Sequence, residues 1–179
     1  MKVIIAFSLT CVLLLFSCKS EKNKALAYND QIVIFQVQLI TGLEKLYDQI
    51  QAKQVDSATI QYNNLKGNVK NWLQDVQKVE PVAGGEVMKE KVTDLLTFYD
   101  DLFAQDFAEY FKILNSPQPD SLELQTLYTK IQFMELMAVQ LERELGEAQD
   151  SFITQYGVSV KRPPNDVEDE ATTDSLLTK

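Results

Sequence analysis

The chain has 179 residues, enough for one domain, with 45% apolar and 24% charged residues, the balance of a globular protein. It carries 17 Lys and Arg against 26 Asp and Glu, no histidine, and two cysteines that both fall in the first eighteen residues. Those counts exclude a Ser-His-Asp triad, a Cys-His pair and the usual His-containing metal sites, and net acidity argues against nucleic acid.

The N-terminus reads as an address. Lys2 precedes an apolar run from Val3 to Phe16, and Ser17 and Cys18 follow. A basic start, a short apolar stretch and a small residue before the cut describe a secretory signal. The run is shorter than the ~20 apolar residues of a membrane-spanning helix. Leu15-Phe16-Ser17-Cys18 resembles a bacterial lipobox, with Phe16 departing from the aliphatic or small residue favoured there. Boxes that end Ser-Cys-Lys look like those of Bacteroidota lipoproteins. The resemblance implies cleavage between Ser17 and Cys18, and acyl chains, palmitate among them, on Cys18. Two or three chains would hold stably, since each buried methylene contributes ~0.8 kcal/mol. Lys19 after the cysteine, where enterobacterial proteins retained at the inner membrane carry Asp, favours the outer membrane by the same resemblance. Its periplasmic or surface face stays open. Cleavage removes one Lys and no acid, so the net charge moves from −9 to −10. It also removes Cys11 and leaves no thiol for a disulfide or for catalysis. Lys19 to Lys24 reads as a short polar tether, making residues 18–24 a lipidated linker.

From Ala25 the pattern is helical to Gly157. The first segment repeats Tyr28, Ile32, Phe35, Leu39, Leu43, Leu46 and Ile50 in steps of three and four. The second repeats Val55, Ala58, Tyr62, Leu65, Val69, Trp72, Val76 and Val79, with Asp56 or Ser57 as the expected N-cap and Pro81 as a stop. Asn63, Asn64, Asn68 and Asn71 form its wet side. Gly42 and Gly67 are places where a neighbouring helix can approach closely. Ala83-Gly84-Gly85 breaks the chain.

The third segment runs from Met88 to Leu114 with a broad aromatic face, Phe98, Tyr99, Phe103, Phe107, Tyr110 and Phe111. Helical spacing makes these core; the alternative is a groove for an apolar ligand or a partner helix, lined by Phe98, Phe103, Phe107 and Phe111. Asp100, Asp101, Asp106 and Glu109 read as a solvated acidic patch. Ser116-Pro117-Gln118-Pro119-Asp120 is a tight connection. The fourth segment repeats Leu124, Leu127, Ile131, Met134, Ala138, Leu141, Leu145, Ala148 and Phe152, the coiled-coil period, and Gly157 closes it. Its Glu123, Glu135, Glu142 and Glu147 lie off that stripe and read as solvated. Met134, Leu136 and Met137 read as adaptable core packing.

Short links make neighbours antiparallel, so the expected fold is all-α, an up-down-up-down antiparallel four-helix bundle over residues 25–157. It follows a cleaved signal (1–17) and precedes a disordered acidic tail (158–179), in which Asn165 to Lys179 hold five acids and no aromatic. The fourth helix, ~54 Å long, should overhang partners of about 35–45 Å, or bend.

The architecture resembles small helical surface lipoproteins of bacteria, and Tyr28-Asn29-Asp30 with Ile32, Val33 and Gln36 is similar to a helical surface-lipoprotein family found in leptospires and Bacteroidota. The resemblance implies no catalytic residues. The expectation is a lipid-anchored, non-enzymatic protein that meets another envelope or extracellular protein, with no cofactor, metal or nucleic acid. The alternative is a bundle that holds a small apolar ligand between its helices.

Overall fold

The structure, a computed structural model, describes the backbone of residues 2–158 and the side chains of residues 21–158. Among the described residues there are five helices: α1 (Lys2–Gln51), α2 (Val55–Lys78), α3 (Glu86–Ala104), α4 (Asp106–Leu114) and α5 (Ser121–Gln155). There is no strand among the described residues. The expected third helix is α3 and α4, split at Gln105, so the molecule is a four-helix bundle with one broken member. The acidic tail from residue 159, and the Ser17 and Cys18 side chains, lie outside what is described.

Side-chain contacts set the directions. Lys22 Nζ donates to the Gly157 carbonyl, Tyr28 packs edge-on against Phe152, and Tyr47 meets Glu135 and Tyr128. α1 and α5 are therefore antiparallel. Gln61 reaches the Gly42 carbonyl, Tyr62 the Phe103 carbonyl, and Lys89 the Gln77 and Val79 carbonyls, which turns α2 against both α1 and α3. The up-down-up-down order follows.

Two expectations change at the ends of α1. Residues 18–24 are not an extended linker but part of the helix, and Lys24 pairs with Glu21 at 3.2 Å. Lys19 to Lys24 contains no Gly or Pro, and Lys and Glu are good helix formers. As a result α5 does not overhang: Lys22 sits opposite Gly157, and Gln51 shares a cleft with Leu124 and Gln125. At its C-terminus α1 closes on Lys53, which takes a left-handed φ of 56° while Gln54 N–H donates to the Gln49 carbonyl at 2.9 Å. That is the geometry usually given to glycine. Gly157, at φ 67°, does the same for α5, as expected from the sequence.

The caps differ from expectation at α2, where Gln54, not Asp56 or Ser57, is the N-cap and gives no side-chain bond. At α5 the cap is Asp120, whose carboxylate accepts from Leu122 and Glu123 N–H at 2.9 and 3.0 Å. It satisfies two donors that a helix start leaves open.

The core is one continuous cluster along the bundle axis. Phe103, Phe107 and Phe152 are fully buried, and each contributes about 1.5–3 kcal/mol of burial. The break at Gln105 explains how the aromatic face is used. The row Val92, Leu95, Tyr99, Leu102 would continue to Asp106 and Glu109 in a straight helix. Breaking at Gln105 lets α4 present Phe107, Tyr110 and Phe111 instead. Tyr62 stacks on Phe111 with centroids 4.6 Å apart, and its hydroxyl donates to the Phe103 carbonyl in the last turn of α3, where helix carbonyls lack an intrahelical partner.

Candidate docking face

The face that differs most from a solvated bundle surface lies where α5 packs on α3. The inward seam of α5 is Ile131, Ala138, Leu145 and Phe152, all buried. A second apolar row, Phe133, Leu136 and Met137, points outward, and the three are 65%, 66% and 56% exposed. Their spacing of three and one is that of a single helix side. Val139 lies further round and is also exposed. The expectation that Leu136 and Met137 pack in the core is therefore corrected: the inward seam is already complete, and no helix covers the opposite side.

The same face has a hollow. Phe98, Leu102 and Met134 form the apolar lining of a cavity of about 250 Å³ whose polar lining is Asp101, Gln105 and Asp106. It opens at the α3–α4 break. Met137 is one helical turn from Met134, so the hollow and the outward row adjoin.

Two interhelical ion pairs frame this region. Lys91 of α3 holds Glu144 of α5 at 2.8 Å and Asp94 at 3.8 Å. Lys130 of α5 pairs with Asp106 of α4. The Glu144 hydrogen bond raises the Lys91 pKa, and the Asp106 hydrogen bond raises that of Lys130. The Lys91 hydrogen bond in turn lowers the Glu144 pKa. Asp106, expected on a solvated patch, is instead buried at the first turn of α4, where it pairs with Lys130 of α5.

A second polar feature sits between α1 and α5. Glu135 and Glu142 were expected on the wet side of α5. They are half-buried, because Tyr128, Glu135, Glu142 and Gln149 form the flank of the seam that faces α1. The Tyr47 hydroxyl donates to Glu135. Burial raises the pKa of both carboxyls; for Glu135 the Tyr47 hydrogen bond works the other way and the nearby Glu142 reinforces the rise. Burial first, then the Glu135 charge, raises the Tyr47 and Tyr99 hydroxyls. Among the described residues there is no group of three His, Cys, Asp or Glu side chains placed to hold a metal ion.

The sequence-derived groove fares as follows. Phe103, Phe107 and Phe111 are core residues and line no open surface. Phe98 alone is half-buried and lines the hollow. The Tyr28 and Tyr62 hydroxyls donate to the Gly85 and Phe103 carbonyls, at 2.6 and 2.9 Å. The outward row has a trace in the sequence: α5 carries more apolar residues than one seam accommodates.

Compared with known protein families, curated proteins and solved structures, the chain matches none. Among the described residues no helix is long and apolar enough to cross a membrane.

Proposed function

We propose that the chain is a lipid-anchored, non-enzymatic protein of the bacterial envelope that docks another protein on its α3–α5 face. The observation that carries the docking is the outward row Phe133, Leu136 and Met137 beside the Phe98–Met134 hollow. Exposed apolar clusters rimmed by charge mark interaction surfaces. The anchor rests on the likeness of Leu15-Phe16-Ser17-Cys18 to a lipobox, and Lys19 after the cysteine supports the outer membrane. The test is a photo-cross-linking amino acid installed in cells at Met137 and, as control, at Asn64 on the wet side of α2. Discrete adducts at Met137 alone support docking, and equal or absent adducts refute it. A Cys18→Ala variant that remains in the membrane fraction would refute the anchor.

The apolar-ligand reading has one observation of its own. Ile50, Gln51, Tyr110, Leu124, Gln125 and Tyr128 line an open cleft of about 280 Å³ at the far end of the bundle. Ligand pockets begin at ~300 Å³, so it suits only a small group. Quenching of tyrosine emission by a short-chain fatty acid, lost in Tyr128→Ala, would support it; quenching unchanged in the variant would oppose it.

A further inference from the structure

We infer that the occupant of the α3–α5 face is a basic amphipathic α-helix of a partner protein. This rests on the docking reading above and adds the chemistry of the partner. The first argument is shape. The two ion pairs are set by Lys130 and Glu144 on α5, fourteen positions or ~21 Å apart along the helix. Between them run Phe133, Leu136 and Met137, with Phe98 and Met134 in the hollow alongside. The apolar row itself covers four positions, ~6 Å, and the face between the ion pairs admits about four turns of a helix laid along it, whose apolar residues at i, i+3, i+4 and i+7 would seat on the row and the hollow. Two methionines in the strip add adaptable contact.

The second argument is charge. Glu90, Asp94 and Glu144 surround Lys91; Asp106 and Glu109 surround Lys130; Asp101 lies on the hollow between them. Six carboxylates thus stand against two ammonium groups. Arg143, which pairs with Glu147 and also lowers the Glu144 pKa, adds one charge of each sign with its partner and leaves the excess at four. The excess is negative along the whole strip. A second copy of the chain would bring the same sign to the same place, and an anionic lipid surface or a nucleic acid would be repelled in the same way. Lysines or arginines flanking an apolar stripe meet both features at once, the acids steering the approach and the apolar row holding the complex.

The test uses the full chain and three labelled peptides of about eighteen residues, read by fluorescence anisotropy. One carries Leu at i, i+3, i+4 and i+7 with Lys elsewhere; one has the same composition scrambled; one replaces Lys by Glu. The Leu/Lys helix should bind, and the other two should bind at least about ten-fold more weakly. A Phe133→Ser/Met137→Ser variant keeps every charge and alters only exposed side chains. It should lose about ten-fold in affinity with unchanged helical circular dichroism. Asp101→Lys should weaken binding and flatten its salt dependence. Equal binding of the scrambled peptide, or unchanged binding by the serine variant, would overturn the inference and leave only nonspecific charge attraction. Self-association of the wild-type chain, abolished by the serine variant, would overturn it in favour of a second copy. Adducts at Met137 in cells without binding of the Leu/Lys helix would sink this inference and leave the docking reading standing.

Discussion

The same substitution at two glycines should change stability in opposite directions. Both lie inside helices, where Ala is preferred over Gly by ~1 kcal/mol. At Gly67 a Cβ would meet nothing within 4 Å. Gly67→Ala should therefore add about 1 kcal/mol, which for a domain of this size raises Tm by roughly 2–4 °C. At Gly42 a Cβ would run into Leu65 Cδ2 and stand 3.2 Å from its Cγ. Leu65 is 2% exposed and cannot swing into solvent. Relieving the overlap requires a rotamer change or a shift of α2, at ~1–3 kcal/mol. Gln61, which donates to the Gly42 carbonyl at 3.1 Å, would move with it. Setting the helix gain against that cost leaves Gly42→Ala destabilised by up to about 2 kcal/mol. Urea midpoints of the two variants, measured side by side, decide the matter. If Gly42→Ala is stabilised as much as Gly67→Ala, the close α1–α2 approach is not what the sequence requires at that position.

The buried and paired carboxylates of α5 give pH dependences of opposite sign. Glu135 is raised above the usual carboxylate range, so the folded chain holds its proton longer than the unfolded chain, and stability falls as pH rises through the raised value. Glu135→Gln should flatten the slope of urea midpoint against pH above the usual carboxylate range; an unchanged slope would refute the burial argument. Glu144 is lowered by Lys91, so its contribution is present above the usual range and fades as pH falls through the lowered value; Glu144→Gln should lose stability at pH 7 and little at pH 3. Asp120→Ala removes both cap bonds to α5 and should cost about 1 kcal/mol in the same assay. Lys53→Gly relieves a left-handed residue at the end of α1 and should gain about 1 kcal/mol, readable as a higher Tm.

Much of the fold is legible in the sequence. The unbroken three-four alternation of the last segment, with Gly157 after it, marks α5 to within a residue or two. Pro81 and Gly84-Gly85 mark the α2–α3 turn for equally local reasons. The break at Gln105 is harder, because neither Gly nor Pro stands there. Its trace is a change of row, from Leu95 and Leu102 to Phe107 and Phe111, with acids where the first row would have continued. The helical state of residues 18–24 has a local cue in the absence of Gly and Pro from Lys19 to Lys24, whereas the contact of Lys22 with Gly157 shows only in the fold. Of the aromatic stripe, Phe103, Phe107 and Phe111 are the core that helical spacing makes them, and of the alternative groove only Phe98 lines a hollow. A stripe alone does not say which of its members meets a neighbour. Phe133, Leu136 and Met137 were hidden by the seam beside them. Glu135 and Glu142 were assigned to water because charge usually goes there; only the packing of α1 against that flank shows otherwise.

If Cys18 carries the proposed lipid anchor, the contact between Lys22 and Gly157 decides how the bundle stands on the membrane. Four residues, about 6 Å of helix, separate that cysteine from the end of the bundle. The joint is a continuation of α1, not a leash, so tilting the bundle means bending a helix. The α3–α5 face then stands at a set height: Met137 lies twenty residues from Gly157 along α5, ~30 Å up. A partner rooted in the same membrane would need a stalk of that length to present its helix, whereas one arriving from the opposite side would meet the face directly.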